Sequence, residues 1–185
     1  VASSRYGKEL PSKGEPTTMP IHALGPSDAL HGGGGYGDKK KALARLRHAF
    51  DTLSEAVRAR LALENDDRTY TVRDLLPVCA DLNIPLIYDV HHHRCNPDGL
   101  SEEEATAHAV RSWEARGREP YFHLSSPRDG WKGNPRPHAD YVDPNDLPPC
   151  WLPLTATVDV EAKAKELAVL KLMRDLGLSS GGTDD

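Results

Sequence analysis

Residues 84–97 read IPLIYDVHHHRCNP. The run from Ile84 to Tyr88 is short and apolar, as a strand buried on both faces must be. It closes on Asp89, three consecutive histidines and Cys95. In parallel β/α architectures the carboxyl ends of the strands, with the loops leaving them, form the face that binds ligands and does chemistry. A buried strand that ends in metal-competent side chains therefore predicts an α/β fold with a parallel sheet.

The pattern repeats in both directions along the chain. Upstream, Asp38 is a candidate N-cap for a helix whose stripe is Leu43, Leu46, Phe50, Leu53 and Val57, at spacings of three and four. The short apolar segment RLALEND (60–66) follows, apolar up to Glu64. TVRDLLPVCADLN (71–83) then sets Thr71 three residues before Asp74, a capping-box signal that predicts a second helix leading into the opening strand. Downstream, Ser101 with Glu104 caps a third helix that carries Trp113 and stops at Gly117. PYFHLSS (120–126) reads as a short strand, and 125–153 as a proline-rich loop. TATVDVEAK (155–163) reads as another strand, followed by a last helix through Leu170, Leu172, Met173 and Leu176. Residues 1–29 lack periodicity and read as an irregular lead-in, residues 177–185 as a tail, and 30–176 as the domain between them.

Each strand closes on a chemically competent residue: His31, Glu64, Asp89, His123 and Glu161, separated by 33, 25, 34 and 38 positions. Each interval fits one βα unit, so about five units are present, and the five side chains are expected at one end of the sheet. Imidazoles mixed with carboxylates, without thiolates, suit Mn, Zn or Fe(II). Two or three such ions a few ångströms apart form a clamp for phosphodiester hydrolysis. Similar ligand sets serve sugar isomerases on barrels, and composition leaves both open.

The 185 residues, 38% hydrophobic and 28% charged, suffice for one domain with a core. A formal net charge of -5 excludes a global positive field of the kind that draws nucleic acid or membranes, so a polyanion would have to be met by bound cations or a local basic patch. Three widely separated cysteines, Cys79, Cys95 and Cys150, match no zinc spacing and point to reduced thiols in an intracellular protein. No apolar run reaches membrane-span length and no signal-peptide pattern opens the chain. Val1 as first residue suggests an excised or truncated segment. GGGG (32–35) is not followed by Lys-Ser or Lys-Thr, which leaves a strand-to-helix connection rather than a phosphate loop. ENDD (64–67) taken alone would be a solvated acidic turn. His48 and His108 fall within helices and read as structural.

LHGGGGYGDKKKAL, LALENDD, IPLIYDVHHH, FHLSSPR, HADYV and VEAKAKE, in this order, resemble the UV-damage endonuclease family, a relative of the endonuclease IV type of abasic-site nuclease. The resemblance covers roughly residues 30–173. It implies an incomplete TIM-type (β/α)8 barrel, the carboxy-terminal part of the family's fold. It also implies a Mn-dependent nuclease, with Zn or Mg as other possible ions, that cuts UV-damaged double-stranded DNA immediately 5′ to cyclobutane dimers, 6-4 photoproducts and abasic sites. The matching positions make His31, Glu64, Asp89, His92, His123, His138 and Glu161 ligands for two or three metals. Glu64 and Glu161 would be the bridging, catalytic carboxylates, and His92 would share a third ion with His138. Strict strand alternation pairs Asp89 with His91 instead; a turn beginning at His91 would reconcile the two. Arg128, Trp131, Lys132 and Arg136, in the loop after His123, are the expected DNA contacts. The chain departs from the family at Tyr121, where a lysine is usual, and residues 1–29 match none of the family's first strands with their two further histidines. An inactive fragment of such an enzyme is thus an alternative beside the isomerase.

Overall fold

The computed structural model describes residues 2–6 and 28–178. They fall into two compact units, one spanning Leu24–Pro120 and the other drawn from Val1–Ala23 together with Tyr121–Asp185.

In the first unit, strands β2 (Asp28–His31), β3 (Leu61–Glu64) and β4 (Leu86–Asp89) lie side by side and parallel, with Leu63 opposite Leu86 and His31 opposite Glu64. Helices α1 (Lys39–Asp51), α2 (Glu55–Arg58) and α3 (Val72–Leu82) connect them, and α4 (Val90–Cys95) and α5 (Glu102–Glu114) follow β4. The core is Leu43 and Phe50 from α1, Val72, Leu75, Val78 and Cys79 from α3, and Ala105, Ala109 and Trp113 from α5, packed on Ala62, Leu63, Leu86 and Ile87. Trp113 is also hydrogen-bonded, its indole Nε1 donating to the Leu86 carbonyl at 2.7 Å, so a large buried side chain leaves no polar atom unsatisfied. Burial pushes the Cys79 thiol up to about 12, as a core thiol requires.

Both expected capping boxes form. Thr71 and Asp74 bond reciprocally at the start of α3, Ser101 and Glu104 at the start of α5. Asn83, left-handed at φ 50°, ends α3. The stripe from Leu43 to Val57 is not one helix, however. Thr52 turns its hydroxyl back to the Ala49 carbonyl, and Ser54 caps the separate short helix α2. Hydroxyls that bond local backbone compete with helix continuation, and the break leaves Val57 exposed.

In the second unit, β5 (Tyr121–Leu124) runs parallel to β6 (Ala156–Val160), with His123 opposite Asp159. The connection between them is a long loop with two 3-10 turns, Pro144–Asp146 and Pro149–Trp151, and β6 leads to α6 (Glu166–Asp175). Phe122 stacks on Trp151 at 4.6 Å between ring centres, above a core of Val158, Val160, Ala168, Leu172 and Met173. Strand β1 (Ala2–Tyr6) pairs antiparallel with β6, from Ala2 opposite Val160 to Tyr6 opposite Ala156. A strand thus lies within the lead-in that carries no sequence periodicity, and five residues pairing with a distant edge give no local signal. The stretch 179–185 at the carboxyl end lies outside the described residues.

Candidate metal-binding site

In the Leu24–Pro120 unit the strand ends bring four expected residues together. His31 Nε2 lies 3.1 Å from Glu64 Oε2, and His92 Nδ1 lies 3.3 Å from Glu64 Oε1 and 3.4 Å from Asp89 Oδ2. One donor atom each from His31, Glu64 and His92 falls within a 4.8 Å set. Glu64 and Asp89 are buried, His92 nearly so, and His31 is half exposed. Parallel pairing explains the juxtaposition of His31 and Glu64, since they are register partners on adjacent strands.

The choice between His91 and His92 is decided by a helix. Val90 already begins α4, one residue earlier than the turn expected from the sequence, and Asp89 is its N-cap, Oδ1 accepting from the His92 N–H at 2.7 Å. Helical spacing then sets positions i and i+3 on one side, which places His92 beside Asp89. His91 is fully buried, its ring centre 6.2 Å from that of His92.

Electrostatics and satisfaction both suit a cation here. The hydrogen bond to Glu64 raises the His31 imidazole above its usual range, against partial burial. Burial alone would depress His92, but the Asp89 and Glu64 carboxylates and the Asn65 carbonyl overcome it and raise it to about 10. Asp89 Oδ2 is buried and accepts no hydrogen bond. A buried carboxylate oxygen left in that state has a strong need for positive charge, and a divalent ion bound by carboxylate and imidazole satisfies it. The donor set fits such an ion.

The other segments of ENDD and GGGG have local explanations. Asn65 clamps the Asp89 backbone, its Oδ1 accepting from the Asp89 N–H at 3.0 Å and its Nδ2 donating to the Asp89 carbonyl at 2.8 Å. Asp66 accepts from the backbone N–H groups of Arg68, Thr69 and Tyr70 and so builds the turn. Gly32 passes so close to the Tyr70 ring that a Cβ there would sit 2.6 Å from it. The glycine is thus required by close approach.

In the second unit the remaining three expected ligands also meet. His123 Nδ1 lies 3.5 Å from Glu161 Oε1, and His138 Nδ1 lies 3.7 Å from Glu161 Oε2. Glu161 divides its oxygens between two imidazoles, as Glu64 does. His138 is brought in by a bridge between its own backbone and Pro127, with the Ala139 N–H donating to the Ser126 carbonyl at 2.8 Å. Tyr121 donates its phenol to Asp159 Oδ2 at 2.8 Å and sets its ring edge-on to His123, centres 5.4 Å apart.

Of the expected DNA contacts, Trp131, Lys132 and Arg136 are exposed, while Arg128 is paired with its neighbour Asp129 through two 3.0 Å hydrogen bonds. Asp146 holds this loop, accepting from Trp131 Nε1 at 2.8 Å and from Ser126 Oγ at 2.5 Å. The sequence reading missed Asn65, Asp146 and Asp159. Asn65 adjoins a motif residue and was within reach; Asp146 sits 20 residues from Ser126 in an aperiodic loop and carried no signal.

Parallel strands joined by helices and closing on imidazole and carboxylate pairs define a β/α-barrel class of protein with candidate divalent-metal sites at its strand ends. Residues 25–181 match the UV-endonuclease UvdE family, and the chain belongs to that family. It is 37% identical over 158 residues to a UV DNA damage endonuclease of Bacillus velezensis, covering 82% of this chain and 49% of that protein. It is 40% identical over 155 residues to a UV-damage endonuclease of Schizosaccharomyces pombe, covering 78% and 25% respectively. The crystal structure of SacUVDE superposes with a TM-score of 0.68 at 25% identity, over 82% of this chain and 52% of that one. The fold is accordingly part of a TIM-type barrel, and the chain spans about half the length of its bacterial relatives or less. Among the described residues no helix is long and apolar enough to cross a membrane.

Proposed function

We propose that this chain is a metal-dependent DNA endonuclease that hydrolyses the phosphodiester 5′ to UV photoproducts and abasic sites in double-stranded DNA, within an intracellular excision-repair process. The observation that carries this reading is Glu64. A buried carboxylate at a strand end, its two oxygens divided between His31 and His92 in a chain of the UvdE family, forms a donor set suited to a divalent cation. When bound, two or three divalent ions, Mn2+ first and Zn2+ or Mg2+ otherwise, supply an acidified water and neutralise the departing oxygen.

The chain's own groups have defined tasks around that chemistry. Glu64 and Glu161 each hold two imidazoles in place and would be the carboxylates that hold the ions. Asp89 keeps Oδ1 on the helix and turns Oδ2 toward the site. His31 and His92, drawn toward protonation by their carboxylates, must give up protons to act as ligands, so loading the site releases protons. Trp131, Lys132, Arg136 and Arg128 form the proposed DNA-contacting loop, with cations for phosphates and an indole for an unstacked base. Lesions weaken stacking and lower the cost of extruding the damaged nucleotides.

The relatives' names support nuclease over isomerase chemistry. The test is an end-labelled duplex with a single thymine dimer, incubated with the chain in Mn2+ or in EDTA. A Mn2+-dependent cut directly 5′ to the dimer is expected. Metal binding without a cut would overturn the catalytic reading and leave an inactive metal-binding fragment.

A further inference from the structure

Tyr36, in the loop that leaves the His31 strand, is built against the interests of stability. It is 85% exposed, more than any other large apolar side chain among the described residues. Its backbone is left-handed at φ 47°, a conformation that strains an L side chain and that glycine adopts freely. Gly33 and Gly37, at φ 77° and 78°, already use glycine for this conformation in the same loop, so the loop's geometry alone does not call for an aromatic ring. The ring is nonetheless oriented. It lies over Gly34, where a Cβ would come within 3.1 Å of it, and the Arg45 guanidinium sits 5.7 Å from its centre. A ring resting against backbone glycine near a cation is oriented at low side-chain entropy cost, and at 85% exposure it still offers open π-surface.

The surroundings match a polyanion with stackable rings. Lys39 is engaged by Asp74 at 2.9 Å and Lys41 by Asp38 at 3.4 Å. Lys40 and Arg45 are exposed, and the Asp38 carboxylate lies within the electrostatic reach of Arg45. In a chain of net charge -5, an exposed tyrosine with Arg45 at its ring and Lys39, Lys40 and Lys41 just beyond it in sequence, five residues past His31, is a local exception to the acidic balance. Strained or locally costly choices persist where something other than folding requires them.

We infer that Tyr36 is a DNA-contacting residue, its ring stacking on a base or sugar of the strand held by Lys40 and Arg45 at the rim of the His31 site. This rests on the endonuclease reading above. Every phosphate-bearing strand offers the cations a partner, and every base offers the tyrosine a π-face, so the contact is expected to be tolerant of sequence.

The test uses the whole chain and a fluorescein-labelled duplex with one abasic site, titrated by anisotropy in Ca2+, with nicking measured separately in Mn2+. Tyr36→Gly removes the ring and relieves the backbone, so its thermal midpoint should equal or exceed that of wild type while its DNA affinity falls about tenfold. Tyr36→Asn, which also tolerates the left-handed region, should behave alike. Tyr36→Phe should bind like wild type, since the ring and not the hydroxyl makes the contact. Wild-type affinity in Tyr36→Gly and Tyr36→Asn, alongside normal nicking by the parent chain, would overturn this inference alone. Absence of both binding and nicking in the parent chain would overturn the endonuclease reading and this inference with it.

Discussion

At Asp89 one carboxylate meets two demands. Oδ1 satisfies an orphan helix N–H, and Oδ2 stays buried beside His92 without a hydrogen bond. Glu64 is the complementary case, with an imidazole on each oxygen. Glu64→Gln replaces a charged, two-sided acceptor by a neutral amide that presents one oxygen and one donor. Mn2+ affinity, measured by calorimetry, should fall by at least the ~10–100-fold that loss of an outer-shell partner costs, and nicking should be lost with it. Undiminished Mn2+ binding would remove Glu64 from the ligand set. At this scale the sequence was most legible where a residue ends a buried strand, because the change from apolar to polar is abrupt: Glu64 and Asp89 are readable for that reason, whereas His31 ends a strand that is exposed along its length. Asp159 lies inside β6 between Val158 and Val160, and the Tyr121 phenol that it accepts across the sheet carries no sequence signal.

Elements were legible where their signals are local. Two capping boxes, Thr71 with Asp74 and Ser101 with Glu104, are visible in four-residue windows and both form. The break between α1 and α2 was not, because the apolar spacing continues across Thr52 and Ser54 while their hydroxyls redirect the backbone. The loop after β5 was legible as a loop but not in its organisation, since Asp146 reaches Trp131 and Ser126 across 15 and 20 residues. The cap of α3 can be separated from the site chemistry. Thr71→Ala should cost about 1 kcal/mol, read as a lower urea midpoint, and leave Mn2+ stoichiometry unchanged. A change in stoichiometry would mean that the start of α3 bears on the ligands.

For the whole molecule, the acid–base state of the ligand set becomes a stability term. His92 is raised to about 10 in the folded chain from an ordinary 6.5. The stabilisation from its protonation is therefore fully present below pH 6.5 and is lost as the pH rises through the folded value near 10. In EDTA, the thermal midpoint should fall progressively across that window; Mn2+, which replaces the proton as the positive charge, should reduce the fall. A flat profile in EDTA would show that His92 is not held protonated by its carboxylates. The parallel β/α class was readable from the alternation of strand and helix, whereas the antiparallel β1 was not. That strand carries a temporal consequence. Ala2 has Val160 as its register partner, so the strand it pairs with is synthesised about 150 residues after it. At the usual ~5–20 residues per second, β1 waits on the order of ten seconds on the ribosome with its edges unsatisfied. Until β6 emerges, β1 is a segment that a chaperone would keep from pairing with the edges of other chains.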